Sequence, residues 1–216
     1  MKQTIAIIGA TGNMGSAIAR SLSEGPYRLL LMARDSEKLH ALQTEISVSG
    51  ADAEIIGCPK DASWEADIII LAVPYAAEAE IAPKIRQFAT RKIVISIANP
   101  LNETSNALVT TSDTSAAEEL QKLLPNSTVV KALNTTFAAD FSNPVIDGKT
   151  VDSFIAGNDE DALLEVTKLV ETIGFNPIVA GDLAVSRTLE NMQLLLIRLG
   201  MKYNYNWLAG WKILHN

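Results

Sequence analysis

The order of apolar and polar residues along the chain predicts alternating strands and helices. An apolar run at 4–8 leads into a glycine-rich turn, and the next segment repeats apolar residues at helical spacing. After the break at Gly25-Pro26, an apolar run at 29–32 and a polar helical pattern at 36–48 repeat the unit. The first part of the chain therefore predicts two successive strand–helix units.

The remaining apolar segments continue this alternation. Further strands are predicted at 53–57, 67–73, 92–98, 128–133, 153–156 and 177–179, and further helices at 74–88, 115–124, 160–173 and 183–201. The strands are continuous apolar runs, which is typical of a parallel sheet covered by helices on both faces. We therefore expect an α/β fold of the Rossmann type, with a doubly wound parallel sheet and a smaller C-terminal αβ extension that ends in helices.

No linker or change of composition marks a sharp domain boundary. We expect a Rossmann-type domain at 1–140 and an extension at 141–216, with a soft boundary that allows both to share one sheet. The polar segment 99–114 predicts a long loop at the carboxyl ends of the strands. Ligands of open α/β sheets bind at that edge.

Composition and charge narrow the classes of function. The 216 residues include 18 basic and 25 acidic side chains, and the net charge of -7 would repel a nucleic acid. Cys58 is the only cysteine, so an internal disulfide is excluded, and two histidines offer little for a metal site. The longest apolar stretch, 68–73, is too short to cross a membrane, and the first residues lack a signal-peptide pattern. We therefore expect a cytoplasmic protein with no metal, nucleic-acid or membrane partner.

The turn after the first strand carries a dinucleotide-binding pattern. Gly9, Gly12 and Gly15 lie between a predicted strand and a predicted helix in the segment GATGNMG. Gly9 permits a sharp exit from the strand, Gly12 lets backbone N–H groups approach a pyrophosphate, and Gly15 allows close helix–strand packing. Ala10 replaces one glycine of the strict G-x-G-x-x-G fingerprint, so a tight turn without a ligand is the alternative interpretation.

The end of the second predicted strand indicates which dinucleotide is bound. An NAD-specific site places an Asp or Glu about 20 residues after the glycines, where it accepts the ribose hydroxyls. This chain has Arg34 there, whose guanidinium can pair with a 2′-phosphate, and Lys38 adds a second positive charge one helical turn later. The pattern favours NADP(H). The alternative is a solvated Arg34 with Asp35 as the ribose ligand.

Three strand ends are expected to supply the nicotinamide end of the site. The candidate residues at this carboxyl edge are Val73, Pro74, Asn99, Pro100, Asn134 and Ala138. Backbone groups here can line the nicotinamide ribose, and small residues admit a flat ring. Prolines that merely end their strands are the alternative interpretation.

No residue at this edge is a certain catalytic group. Oxidation of an alcohol or reduction of an imine usually needs a general acid or base, and no histidine lies near these strand ends. Lys131 is a candidate, although a solvated lysine without a catalytic role is the preferred interpretation. A site without a general acid or base suits hydride transfer between two cofactors, because the rate of that reaction depends mainly on the geometry and the electronics of the two rings.

Several segments together resemble a known family, the reductases that move hydride between NADP(H) and the deazaflavin coenzyme F420. The segments that carry the resemblance are GATGNMG, ARDSEKL, ADIIILAVPY, KIVISIANP, VVKALNTTFA and SRTLENMQLLLIRL. The resemblance implies pyrophosphate contacts from Thr11, Gly12, Asn13 and Met14, 2′-phosphate contacts from Arg34 and Lys38, and nicotinamide contacts from Val73, Pro74 and Ala138. A second cofactor would stack above that ring.

Two features leave the electron acceptor open between F420, FMN and FAD. Archaeal members of this family that use the deazaflavin typically have a histidine and a proline in the stretch that reads LNTTF here, residues 133–137. The KALNT and AGND segments are also similar to the cytosolic NADPH domain of six-transmembrane metalloreductases. An NADPH-dependent flavin or ferric reductase is therefore one alternative, and a non-catalytic NADP-binding redox sensor is another.

The C-terminal segment predicts self-association. Residues 194–199 are too apolar for a helix with a single buried face, and Trp207 and Trp211 follow. Exposed apolar surface of this kind usually contacts a partner. We expect a homodimer with the second-cofactor pocket near its interface, while a helix that covers its own subunit's sheet is the alternative.

Overall fold

The computed structural model describes residues 2–215. Over that range the chain forms ten β-strands, seven α-helices and two short 3-10 helices. The strands are β1 (Gln3–Ile8), β2 (Tyr27–Met32), β3 (Asp52–Ile55), β4 (Ile68–Leu71), β5 (Ile93–Ser96), β6 (Thr128–Lys131), β7 (Val145–Ile146), β8 (Lys149–Thr150), β9 (Asp152–Gly157) and β10 (Asn176–Gly181). The helices are α1 (Asn13–Ser23), α2 (Ser36–Val48), α3 (Pro59–Glu65), α4 (Tyr75–Ile85), α5 (Ala116–Leu123), α6 (Glu160–Ile173) and α7 (Ser186–Tyr203).

Eight strands form one sheet in the order β10-β9-β6-β5-β4-β1-β2-β3. The part from β3 to β6 has the 3-2-1-4-5-6 order of dinucleotide-binding folds, which confirms the predicted Rossmann-type architecture. Strands from both sides of residue 140 therefore belong to one sheet.

The sheet is not parallel throughout, because β9 runs antiparallel to β6. All other pairs in the sheet, including β10 with β9, are parallel. A parallel neighbour needs a long crossover, which is usually an α-helix. The chain between β6 and β9 contains a short 3-10 helix and the β7–β8 hairpin, but no α-helix, and it returns in the opposite direction.

Alternate residues of the central strands face two separate cores. Ile5 and Ile7 belong to the core beneath α1, α2 and α6, whereas Ala6 and Ile8 belong to the core beneath α3, α4 and α5. All four side chains are at most 1% exposed. Burial on both faces explains why the strands appear in the sequence as unbroken apolar runs.

Helix boundaries follow local capping. Helix α6 matches the predicted span because the Asp159 carboxylate accepts the Ala162 N–H at 2.8 Å and Gly174 ends the helix at φ 103°. Sequence reasoning missed α3 and the β7–β8 hairpin, which are too short to show a period. No helix within residues 2–215 has the length and apolar content needed to cross a bilayer.

Candidate functional site

A cavity of about 460 Å³ lies at the carboxyl ends of β1, β2 and β4. This is where the strand order reverses, because β1 lies between β2 and β4, and ligands of doubly wound sheets bind at such points. The structure brings together in its wall six of the residues predicted from the sequence, namely Gly9, Thr11, Gly12, Arg34, Val73 and Pro74.

The first glycine makes the turn possible. Gly9 has φ +95°, and a Cβ at this position would lie 2.2 Å from the carbonyl oxygen of Ala72. Its backbone N–H donates to the Met32 carbonyl at 2.8 Å, so the turn is tied to the end of β2. Only glycine combines this backbone conformation with so close an approach to the chain after β4.

Helix α1 presents an uncapped N-terminus beside this turn. Gly12 is its N-cap, with no side chain to bond the first N–H groups, and no acidic residue lies in the first turn. A Cβ on Gly15 would lie 2.2 Å from the Gly9 carbonyl oxygen, so the glycine brings the helix against the turn. The free N–H groups and the positive end of the helix dipole form an anion-binding cradle.

The predicted contributions of Asn13 and Met14 are best explained by their backbone. Both residues lie in the first turn of α1, where N–H groups lack intrahelical acceptors. The Met14 side chain packs against the core. Asn13 borders a second, shallower groove of about 690 Å³ that Ala138 also lines. The structure therefore separates Ala138 from the main cavity.

Arg34 is an exposed cation in the wall of the cavity, at the end of β2. It forms no hydrogen bond or ion pair with any of residues 2–215. Its interaction with the nearby Glu80 carboxylate is a longer-range electrostatic attraction. Asp35 also borders the cavity, but its carboxylate accepts the Lys38 N–H at 3.1 Å and caps α2. That bond lowers the pKa of Asp35, and the Lys38 ammonium, 3.1 Å away, adds to the effect. Lys38 is therefore already paired and is not part of the cavity wall.

Helix α4 supplies a wall of the cavity that sequence reasoning missed. Ala77, Glu80, Ile81 and Lys84 border the cavity at three- and four-residue spacing along one helix face. The Lys84 ammonium pairs with Glu80 at 2.7 Å and lowers the pKa of that carboxyl. The i, i+4 spacing of Glu80 and Lys84 indicates an ion pair on one helix face, but nothing in the sequence indicates which face of α4 meets the cavity.

The predicted pair Asn99 and Asn134 meets at the next strand ends. The Asn134 amide donates to Asn99 Oδ1 at 2.9 Å, and the Asn99 amide donates to the Asn134 carbonyl at 3.0 Å. The Asn134 amide also reaches the Leu189 carbonyl on α7, at 3.2 Å. Pro100 is buried behind this pair, and its carbonyl accepts the Val109 N–H at 2.7 Å.

A buried carboxyl holds the turn before Ala138. Asp140 accepts the Phe137 N–H at 2.6 Å and is fully buried. Burial raises the pKa of Asp140 to about 7, although the bond from Phe137 opposes the shift. This residue has no distinctive sequence signal, because a single aspartate in a polar stretch is usually exposed.

The interpretation of Lys131 as a solvated residue is wrong. Its side chain is 0% exposed, and its ammonium lies 2.7 Å from the Glu190 carboxylate, which is also 0% exposed. The ammonium donates as well to the Ala98 carbonyl. The acidic partner comes from α7, far along the chain, so strand alternation alone gave no indication of it.

Comparison with known proteins gives the family. The family profile described as "NADP oxidoreductase coenzyme F420-dependent" matches residues 4–100. The F420-dependent NADP reductase of Methanocaldococcus jannaschii is 34% identical over 212 residues, which cover 92% of this chain and 93% of the relative. The chain belongs to the family of coenzyme F420-dependent NADP oxidoreductases. Both the predicted family and the predicted class, an NADP-dependent oxidoreductase, are confirmed.

Other matches agree on the family and the fold. The F420-dependent NADP reductase of Methanothermobacter marburgensis is 28% identical over 92% of each chain. A crystal structure from Arthrobacter sp. FB24, provisionally assigned as an F420-dependent NADP reductase, superposes over 100% of both chains with a TM-score of 0.85 and 23% identity. A Streptomyces aurantiacus imine reductase, at 17% identity, has a TM-score of 0.68 and covers 94% of this chain and 64% of its own. These two likenesses show the fold of this chain.

Proposed function

We propose that this F420-dependent NADP oxidoreductase transfers hydride between NADP(H) and coenzyme F420. The observation that carries the proposal is the main cavity, in which an uncapped helix N-terminus and the unpaired Arg34 lie along one groove. A pyrophosphate and a 2′-phosphate require these two kinds of group. The names of the relatives support F420 as the second cofactor.

The residues present fit an NADP-type dinucleotide. Cβ atoms on Gly9 and Gly15 would each lie 2.2 Å from a backbone carbonyl oxygen, so these glycines permit the tight turn that places the N-terminus of α1 where a pyrophosphate would bind. We assign the pyrophosphate to the backbone of Thr11, Gly12 and Asn13. We assign the 2′-phosphate to Arg34, with Lys38 able to contribute only if it leaves Asp35.

We assign the nicotinamide end to the carboxyl edge of β4, β5 and β6. Val73 and Pro74 border the cavity there, and the Asn99–Asn134 pair is fixed by mutual hydrogen bonds. When bound, NADPH supplies the hydride. The protein's part is to hold the ring, exclude water and orient it, because Lys131, the lysine that ends β6, is buried and paired.

We propose further that two copies associate through the C-terminal segment. Met201, Tyr203, Tyr205 and Trp207 are each at least 41% exposed and lie close together in the sequence at the end of α7 and just beyond. Several exposed apolar and aromatic side chains so close together in the sequence favour a homodimer. Sedimentation at micromolar concentration tests this, and a monomer would contradict it. The single free Cys58 supports a reducing, cytoplasmic location.

Calorimetry and turnover test the proposed function separately. NADPH should bind more tightly than NADH, and Arg34→Glu should remove that preference while NADH affinity changes little. Lys60→Glu, a charge reversal outside the cavity wall, is the matched control and should leave the preference intact. The absence of heat with NADPH would refute the proposal.

Turnover then identifies the acceptor. NADPH should be oxidised in the presence of F420, as followed by its absorbance, and more slowly with FMN or FAD. Oxidation by flavins alone would favour the flavin reductase alternative. Binding of NADPH without oxidation by any acceptor would favour a redox sensor.

A further inference from the structure

A buried cluster of Lys131, Glu190 and Glu78 lies behind the carboxyl edge of β5 and β6, and its ion pair is Lys131–Glu190. Lys131 and Glu190 are 0% exposed and Glu78 is 2% exposed. The Lys131 ammonium is 2.7 Å from Glu190 Oε1, and Glu190 Oε2 accepts the Ala116 N–H at 3.2 Å. Ser96 Oγ donates to Glu78 at 3.5 Å. An ion pair so far from water usually survives only where its groups are held by several specific contacts.

The position of the ammonium argues against a role as a proton donor to substrate. Its contacts are the Glu190 carboxylate and the Ala98 carbonyl, and no part of the side chain reaches the surface. These contacts join three distant segments, because Lys131 ends β6, Ala98 follows β5 and Glu190 lies on α7. What Lys131 fixes is therefore the path of the chain just after β5.

The Ala98–Asn99 peptide is the unit that this contact orients. The described chain has no cis peptide bond, so the Ala98 carbonyl and the Asn99 N–H point in opposite directions. With the carbonyl held inward by the ammonium, the N–H of Asn99 is directed away from the cluster, and it has no acceptor within residues 2–215. Ala98 is buried, whereas Asn99 is only half-buried.

Asn99 also carries the side-chain amide that pairs with Asn134. Asn99 thus offers a free backbone N–H and a fixed side chain at one point of the sheet edge. Turning the peptide would move both groups together. This edge is the one assigned above to the nicotinamide end of the dinucleotide.

We propose that Lys131, held by Glu190, is a positioning residue that turns the Ala98–Asn99 peptide so that the Asn99 N–H faces the nicotinamide end of NADP(H), with the Asn99 side chain fixed by the buried Asn134. The inference rests on the proposed function, because it names the residues that orient one end of the same cofactor. The adenosine end, with Arg34, lies in the main cavity and does not depend on this contact.

The test variant removes both charges of the pair. Lys131→Met alone would leave the Glu190 carboxylate buried without a cation, and such a protein can fail to fold. The double substitution Lys131→Met/Glu190→Met removes the charges and keeps two unbranched side chains of similar length. Lys92→Met is the matched control. Lys92 lies just before β5, and its ammonium also donates to backbone carbonyls, those of Ser63 at 2.7 Å and Trp64 at 2.5 Å.

Three measurements on folded protein decide the matter. Calorimetry with 2′,5′-ADP probes the adenosine end and should give the same affinity for all three proteins within threefold. The kcat for NADPH oxidation by F420 should fall at least tenfold in the double variant, with KM for NADPH changed less than threefold, and should be unchanged in Lys92→Met. The ¹⁵N-HSQC amide peaks of Asn99 and Asn134 should shift in the double variant alone.

The outcomes separate the two proposals. A double variant that is folded and keeps its kcat within twofold of the unmodified protein overturns the positioning role. Unchanged Asn99 and Asn134 amide peaks in the double variant also overturn the positioning role, and this measurement needs neither cofactor nor turnover. If the unmodified protein binds no NADPH, the proposed function fails instead, and the nicotinamide role of Lys131 fails with it.

Discussion

Replacing Glu78 by Gln should make the protein more stable at high pH. Glu78 is 2% exposed, and burial raises its pKa from 4.5 to about 8, with the Glu190 charge adding to the shift and Lys131 opposing it. The folded protein therefore keeps a proton on Glu78 that the unfolded chain releases near its ordinary pKa. Folding stability must fall as pH rises between these two values.

The size of the effect follows from the two pKa values. One unit of pKa difference corresponds to about 1.4 kcal/mol. Between pH 5 and pH 8, the titration of Glu78 from 4.5 to about 8 should cost the protein about 3.5 kcal/mol of unfolding free energy. A glutamine cannot titrate, but it can still accept the hydrogen bond from Ser96 Oγ, so Glu78→Gln should lack this loss.

Urea unfolding followed by tryptophan fluorescence at several pH values measures the difference. The free energy of Glu78→Gln minus that of the unmodified protein should grow steadily from pH 5 to pH 8 and then level off. The other carboxyl groups titrate in both proteins and cancel. Glu80→Gln, on an exposed part of the same helix, should give a flat difference over this range. If the free energies of unfolding of Glu78→Gln and of the unmodified protein changed in parallel with pH, the assignment of a buried, protonated carboxyl would be refuted.

Three further substitutions test the packing around the site. Gly15→Ala should weaken NADPH binding at least tenfold, since its Cβ would lie 2.2 Å from the Gly9 carbonyl oxygen, whereas Gly57→Ala, with open space around it, should not. Lys131→Met should lower the free energy of unfolding by about 3–5 kcal/mol, and adding Glu190→Met should recover part of this loss in urea titrations. Asp152→Ala should speed proteolysis of the C-terminal tail, because the Asp152 carboxylate holds the Lys212 ammonium at 2.7 Å and the Ile213 N–H at 2.6 Å.

The parts of the fold that could be predicted are those with local causes. Continuous apolar strands and capped helices such as α6 follow from short-range pattern and capping. The antiparallel entry of β9 could not be predicted in this way, because strand direction depends on a connection whose only regular elements are very short. The same holds for α3, a helix of 7 residues whose position is fixed by packing beneath the sheet.

The same distinction between local and long-range causes applies to the candidate site. The glycine turn and Arg34 are specified by residues close together in the sequence, and the structure places them in one cavity. The contribution of α4 was missed, since its apolar and polar residues do not show which face meets the groove. Lys131 was misinterpreted because its partner Glu190 lies 59 residues away, and no sequence period connects two such positions.

The same difference predicts how the two ends of the proposed dinucleotide site respond to perturbation. The proposed adenosine end is built from β1, β2, β4 and their adjoining turns, inside the matched family region 4–100. The other end depends on α7, through Glu190 to Lys131 and through the Leu189 carbonyl to Asn134. We therefore expect a change that loosens α7 to act first on the orientation of the proposed nicotinamide end, and to reach phosphate binding only through the stability of the whole sheet. If so, binding and hydride transfer are separable in this chain, and measuring affinity alone would not detect damage to hydride transfer.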